Sequence, residues 1–351
     1  MASIAQAIRM ALHVGEQQLD VQDIFGQDVG APLGGVFTCT QGLEKTWNAP
    51  LDERGIIGMA TGLAMAGARP VAEIQFCDYI FNTIDLLKIA GNTCWCTAGQ
   101  IEMPMVVMTP VGSGIHGSIY HSHSFESMAT HMPGWKVVLP SNPLDVYGML
   151  ISAIKDPNPV MFLYPKALIR IQGEEKIPGE PKDPKELSKQ IDAPVGDRSQ
   201  WKPEWPALPD FEIPLGVAKT VTQGDQLTVI SYGRTLPICK KVATALANQG
   251  YRIEVIDLRT LIPFDEETVY QSVQKTGRVL VVNEDTEVTN YGEHIIRKIT
   301  EQCFYHLQAS PKLLAGANTP GIGLAPTLEE AQVPQYAHIE KAMIDLITTI
   351  C

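Results

Sequence analysis

Half of the chain's eight histidines fall within 16 residues: His116, His121, His123 and His131. They lie in and just beyond a glycine-rich run, Gly112-Ser-Gly114-Ile-His-Gly117. Histidine exchanges a proton near neutral pH, so such a cluster suits proton transfer, metal ligation or no chemistry at all, as a polar loop. Metal ligation has little support, because Glu126 is the only acid close by and no cysteine joins it. The run also matches G-x-G-x-x-G. A dinucleotide site needs a helix opening at the glycines and an acid about 20 residues further on. Here Ser118-Ile-Tyr-His-Ser-His-Ser follows, then Pro133 and Gly134. The run is therefore read as a tight loop that lets backbone approach a ligand.

Two further stretches carry candidate groups. In Leu51-Asp-Glu53-Arg-Gly-Ile56-Ile-Gly58 a carboxylate stands at the mouth of an apolar helix. Taken alone, it is a first-turn acid complementing the helix dipole. In Ala72-Glu-Ile-Gln75-Phe-Cys-Asp-Tyr79-Ile-Phe81 a strand end runs into an aromatic cluster, which suits core packing or the stacking of a flat ring. Cys94-Trp95-Cys96 offers two thiols with no second pair at finger spacing, so no zinc site is expected there. The chain has neither a phosphate loop nor a nucleophile elbow.

The elements that must position these groups follow from the apolar rhythm. Residues 21–25, 70–76, 104–109, 136–139 and 160–164 read as buried strands, and 51–66 and 79–94 as helices between them. The rhythm resumes with strands at 227–231, 253–257 and 279–283 and helices at 236–249, 265–275 and 291–303. Strand–helix alternation implies parallel sheets covered on both faces, hence two α/β domains. Ligand sites in such sheets lie beyond the carboxyl ends of strands. Residues 174–214 hold eight prolines and no helical or strand period of useful length. They read as a surface linker, with Trp201, Trp205 and Phe211 as docking anchors; disorder is the alternative.

Composition sets outer limits. The chain has 351 residues, 45% hydrophobic and 19% charged, enough for two sizeable cores. No apolar run reaches the roughly 18–20 residues of a membrane span. The net charge of −12 disfavours nucleic acid and anionic membranes as partners. Seven scattered cysteines and an N-terminus without a signal-peptide pattern lead us to expect reduced thiols in the cytoplasm.

Read together, the segments resemble one family. They are Phe25-Gly-Gln-Asp-Val-Gly30, Gly34-Gly-Val-Phe37, Pro50-Leu-Asp-Glu-Arg-Gly-Ile-Ile-Gly58, Glu73-Ile-Gln-Phe-Cys-Asp-Tyr-Ile-Phe81, Tyr120-His-Ser-His-Ser124, Pro133-Gly-Trp-Lys-Val-Val138, Glu254-Val-Ile-Asp-Leu-Arg-Thr260 and Lys275-Thr-Gly-Arg278. In this order they resemble the β subunit of the E1 component of 2-oxo acid dehydrogenase complexes, most closely its branched-chain and bacterial pyruvate members. The implied fold is transketolase-like. A pyrimidine-binding domain would span 1–173, a Pro-rich linker or insertion 174–213, and a transketolase C-terminal domain 214–351.

The resemblance implies thiamine diphosphate-dependent oxidative decarboxylation of pyruvate or a branched-chain 2-oxo acid, with the acyl group passed to lipoyl-E2. Glu53 matches the glutamate that hydrogen-bonds the aminopyrimidine and favours the imino tautomer that takes the thiazolium proton. Leu51, Ile56 and Gln75 would flank that ring, and Tyr79 would pack on it. His121 matches the loop histidine near the reacting carbon, as proton donor or guide for lipoyl transfer. Ala153, Asp156 and Asn158 match a potassium loop, to which Met105 adds a carbonyl. The family's diphosphate half holds Mg2+ through a G-D-G motif. This chain has Gly224-Asp-Gln226 instead, so an α subunit is implied to hold the diphosphate and Mg2+ in an α2β2 heterotetramer. E2 would dock on 214–351.

The chain departs from the family pattern at Gln27 (usually glutamate), His123 (usually glutamine), Asn82 (usually proline) and Met108 (usually arginine). Two other readings stay open: a two-chain acetoin dehydrogenase or transketolase-like enzyme, and a non-catalytic scaffold paralogue.

Overall fold

A computed structural model describes residues 1–196, 198 and 200–349; Cys351, one of the seven cysteines, lies outside them. The strands are β1 (Ile24–Gly26), β2 (Thr46–Asn48), β3 (Val71–Glu73), β4 (Val106–Val111), β5 (Lys136–Val138), β6 (Val160–Pro165), β7 (Lys219–Thr222), β8 (Leu227–Ser231), β9 (Ile253–Asp257), β10 (Thr260–Ile262), β11 (Val279–Thr286) and β12 (Lys312–Gly316). They form a seven-stranded sheet, ordered β10-β5-β6-β4-β3-β1-β2, and a five-stranded sheet, β12-β11-β8-β9-β7. Every pairing is parallel except β10 with β5 and β7 with β9. The expectation of wholly parallel sheets is thus corrected at one edge of each. Strand β10, from the C-terminal half, completes the first sheet, so the two halves share backbone hydrogen bonds.

The helices are α1 (Ile4–Gln18), α2 (Glu53–Met65), α3 (Ile84–Cys96), α4 (Glu126–Thr130), α5 (Pro143–Lys155), α6 (Pro184–Ile191), α7 (Thr235–Ala247), α8 (Glu266–Thr276), α9 (Tyr291–Cys303), α10 (Pro326–Gln332) and α11 (Tyr336–Thr348). Alternate residues of the central strands serve opposite faces, as the two-residue side-chain period requires. In β6, Met161 and Leu163 join the core beneath α2 and α3, while Val160 and Phe162 join the core beneath α1 and α5. The first of these cores continues into α8, α9 and the second sheet through Val273, Ile295 and Val281. A separate core lies under α7 and α11.

Local signals explain several boundaries. Ser3 and Gln6 form a capping box that starts α1, and this helix is buried along nearly its whole length. The Pro133-Gly-Trp135 run docks α3 onto β5: Trp135 Nε1 donates to the Leu87 carbonyl at 2.7 Å. A Cβ on Gly134 would lie 1.8 Å from the Gly91 carbonyl oxygen, so only glycine fits that approach.

Described residues of the proline-rich segment pack against the first half. Trp205 stacks on His13 with centroids 4.2 Å apart, and Tyr147 Oη donates to the Pro209 carbonyl at 2.6 Å. The docking reading therefore describes it better than disorder. The expectation of no helix there is corrected by α6, which Asp183 caps through the Lys185 N–H and whose Leu187 and Ile191 are buried. Eight residues with two apolar anchors give too short a period to stand out among prolines.

Candidate active site

The candidate groups gather beyond the carboxyl ends of β1, β3 and β4. Glu53 opens α2, with Asp52 as an extended N-cap. Its Oε1 accepts from Gln27 Nε2 at 3.3 Å, immediately past β1. Gln75, just past β3, donates from Nε2 to Asp28 Oδ2 at 3.0 Å and to the Gln27 carbonyl at 3.4 Å. Glu53 and Gln75 are both half-buried. Leu51, 84% exposed, stands in front of α2, and Ile56 is buried in the core behind it.

Tyr79 lies on a 3₁₀ helix, Cys77–Thr83, that leaves β3 through extended Phe76. Its hydroxyl meets His121 Nε2 at 2.7 Å. His121 Nδ1 faces the Gly117 carbonyl at 3.3 Å. A carbonyl only accepts, so this contact assigns the proton to Nδ1 and makes Nε2 the acceptor from Tyr79. Burial, then Asp78 and Glu53, push the Tyr79 hydroxyl above its ordinary range, which keeps it a donor. Phe76 packs edge-on against His121 with centroids 4.4 Å apart. Sequence reading treated Tyr79 and His121 as separate parts of a site; the fold joins them.

The other histidines go elsewhere. His123 puts its ring against Phe81 (5.3 Å), and its backbone N–H donates to Asp78 Oδ1 at 3.2 Å. His116 sits beside Glu329. His131 lines a separate cavity of about 640 Å³ with Ile84, Lys88 and Met128, which neither Glu53 nor Tyr79 borders. Among the described residues no group of three or more His, Cys, Asp or Glu could hold a metal ion. The histidines therefore do not converge, and the metal-ligating alternative for the loop is set aside.

The glycine-rich run is followed by a 3₁₀ turn, Ser118–Tyr120, not by an α-helix. Three of its amides are already taken by carboxylates from the C-terminal half, and Gly112 N donates to the His123 carbonyl at 2.7 Å. Glu284 Oε2 accepts from Ser113 N (3.0 Å) and Oγ (2.8 Å). Glu329 accepts from Gly114 N (2.9 Å) and His116 N (3.1 Å). Sequence reasoning missed both acids; the signal for Glu284 was an acidic pair closing an apolar strand, Val279–Asp285.

The residues that the resemblance assigns to a potassium loop have these backbone and side-chain partners. Met103 N donates to the Pro157 carbonyl and Val160 N to the Met105 carbonyl, each at 2.9 Å. The Ala153 carbonyl accepts from Asp156 N at 3.3 Å, and Asp156 Oδ1 accepts from Asn158 N at 2.9 Å. Lys136 Nζ pairs with Asp156 Oδ2.

Glu73 ends β3 beneath the loop that carries Gly35. Neither of its oxygens has a hydrogen-bond partner of good geometry, and the nearby Val36 N–H offsets burial only in part. Burial pushes its carboxyl up to about 7. A carboxyl raised in the folded state stabilises fully below its unfolded value and loses that contribution as pH rises through the folded value. The folded chain is thus expected to lose roughly 3 kcal/mol between about pH 4.5 and 7 from this group. Glu73→Gln should flatten that slope in denaturant titrations run at several pH values. An unchanged slope would mean that Glu73 is ionised and solvated in the folded chain.

Comparisons with known proteins give the family and the fold. The family model for the transketolase pyrimidine-binding domain matches residues 1–172, and that for the transketolase C-terminal domain matches residues 216–339. The chain is 38% identical over 328 residues to the 2-oxoisovalerate dehydrogenase subunit beta of Pseudomonas aeruginosa, covering 91% of this chain and 88% of that one. It is 34% identical to the Bacillus subtilis protein of the same name, covering 98% of each. It is 36% identical to the pyruvate dehydrogenase E1 component subunit beta of Acholeplasma laidlawii, covering 90% and 88%. A split-gene transketolase, solved as an inactive beta4 tetramer, superposes over all of both chains with a TM-score of 0.73 at 15% identity, which bears on fold alone. With both domain models matched in order and these relatives aligned along nearly the whole length, the chain belongs to the transketolase-like family of 2-oxo acid dehydrogenase E1 β subunits.

Proposed function

We propose that this chain supplies the pyrimidine half of a thiamine diphosphate site in an α2β2 E1 enzyme. The enzyme would decarboxylate pyruvate or a branched-chain 2-oxo acid and pass the acyl group to lipoyl-E2. The observation that carries this reading is the hydrogen-bonded Tyr79–His121 pair within electrostatic reach of Glu53, on an open, apolar-rimmed face. Leu51, Met59 and Phe81 are exposed beside them, as expected of a surface that another subunit covers.

The residues fit the pyrimidine. Glu53 has one oxygen on a neutral glutamine and, among the described residues, no cation against it, which would leave its carboxylate for a ring nitrogen. Thiamine diphosphate, when bound, supplies the carbon nucleophile and electron sink for decarboxylation. Glu53 holds the aminopyrimidine, with Leu51, Ile56 and Gln75 around it and Tyr79 against the ring. Tyr79 also holds His121 in one tautomer, poised to guide protons and the acyl acceptor.

Mg2+ belongs with the diphosphate on the α subunit. A K+ ion would rest on the carbonyls of Met105 and Ala153 beside Asp156 and Asn158. We assign residues 1–173 to the pyrimidine-binding domain, 174–213 to the linker and 214–351 to the C-terminal domain, with E2 docking on the last. No helix of the described residues is long and apolar enough to cross a membrane. Six free cysteines, four of them buried, suit a reducing compartment, which we take as the cytoplasm.

The test is a titration of thiamine diphosphate and Mg2+ on the chain alone and on the chain co-purified with its α subunit. Turnover of pyruvate and 2-oxoisovalerate is followed with an artificial electron acceptor. Binding and turnover are expected only in the pair, and the faster oxo acid names the substrate. Tight cofactor binding by the isolated chain would refute the half-site, and a well-formed but inert pair would favour the scaffold reading.

A further inference from the structure

The loop that presents His121 is fastened to the other half of the molecule. Glu284, at the end of β11, and Glu329, on α10, come from 171 and 213 positions away to take the loop's amide hydrogens. Both carboxylates are buried, and both bond at 2.8–3.1 Å, the range of charge-assisted bonds. Gly112, at φ +85°, admits this approach, since a Cβ there would lie 2.0 Å from Glu284 Oε1. Past His121, Asp285 Oδ2 accepts from Ser127 N at 3.2 Å. The loop is therefore gripped on both sides of His121. A glycine-rich run whose N–H groups would cradle a bound anion in other proteins is here filled by the protein's own carboxylates.

We propose that Glu284 and Glu329 form a latch that positions His121 from the C-terminal domain. They are positioning residues, since neither touches the Tyr79–His121 pair. This inference rests on the role of His121 proposed above. It also implies that whatever docks on the C-terminal domain shares a rigid connection with the histidine loop.

The test uses the assembled α2β2 enzyme with cofactor bound. Hydrogen exchange across residues 112–124 is measured for wild type, Glu329→Gln and Glu284→Gln. Glutamine keeps the shape but loses the charge and offers an NH2 group to donors. Exchange is expected to quicken by about tenfold or more, as local opening becomes easier. Turnover should fall by about ten- to a hundredfold, with KM and cofactor affinity within about twofold, because misplacing a group by about 1 Å can cost about a hundredfold.

A cycle with His121→Ala separates positioning from general loosening. If the latch acts through His121, Glu329→Gln should add nothing to His121→Ala. Unchanged exchange in both glutamine variants, or losses that multiply in the cycle, would overturn the latch. Should Glu329→Gln fail to assemble, Glu284→Gln and Ser113→Ala carry the same comparison. If His121→Ala alone retains full turnover, the proposed role of His121 fails, and exchange alone decides whether the latch exists.

Discussion

Glu53→Gln is expected to lower decarboxylation by the assembled enzyme at least about a hundredfold, the low end of what a positioned acid–base group contributes. The substitution preserves side-chain shape and the neighbouring Gln27 contact, but removes the negative charge that would polarise the pyrimidine. The cost to folding is small. A first-turn acid is worth about 0.3–1 kcal/mol against the helix dipole, and Glu53 is half-buried with no cation to orphan. Melting temperature and subunit assembly should therefore stay near wild type while turnover collapses. Cofactor affinity should weaken only modestly, since on the proposed half-site the diphosphate would be anchored from the α side. Turnover within about fivefold of wild type would mean that Glu53 is only a helix-capping acid, as its sequence context alone allowed. The departure at Gln27 makes this variant informative. Among the described residues no second carboxylate sits at hydrogen-bond distance of Glu53 to take over the charge.

Strands that sit between two helical layers are continuous apolar runs, and this made β4, β6, β8, β9 and β11 legible in sequence. The helices between them were legible for the same reason. Elements that bury no long run were harder. Strand β10 is three residues whose pairing with β5 depends on a contact from residue 260 to residue 138, invisible to any local period. The aromatic stretch from Tyr79 opens as a 3₁₀ turn and becomes α-helical only at Ile84, a boundary that Phe76's extended backbone sets. The site was half legible. Glu53, Gln75, Tyr79 and His121 stand in motifs that resemblance could name. Their mutual geometry was not, because Tyr79 reaches His121 across 42 positions and Glu53 reaches Gln27 across 26. Glu329 carries no local pattern, and Glu284 only that of an acid closing an apolar strand, since an acid that caps distant amides looks like any surface acid.

Arg259→Leu is expected to cost the folded chain about 3–5 kcal/mol, the penalty for removing one partner of a buried ion pair. Arg259 follows β9 and precedes β10, at φ +57°. Its Nη1 donates to Asp145 Oδ1 at 3.0 Å on α5, and its Nε and Nη2 both donate to the Val217 carbonyl, at 3.1 and 2.7 Å. One guanidinium thus ties the first sheet's helical layer to the start of the C-terminal half. Asp145 is 1% exposed, so without Arg259 its charge has no solvent to turn to. Asp257 lies in the same pocket. Burial and then Asp145 push its carboxyl up to about 8, and Arg259 opposes that rise. Being raised, it stabilises most below about pH 4 and loses that contribution as pH climbs toward 8. Removing Arg259 should raise that carboxyl further and extend the loss above pH 8, so the variant's deficit should stay level through the neutral range and grow above about pH 8. Denaturant unfolding of wild type and variant at about pH 6, 7.5 and 9.5 measures both effects. The double variant Arg259→Leu/Asp145→Leu should recover part of the loss, because an apolar pair replaces an orphaned charge. A deficit under about 1 kcal/mol, or one independent of pH, would show that water reaches Asp145 and that this guanidinium adds little to the joining of the two halves.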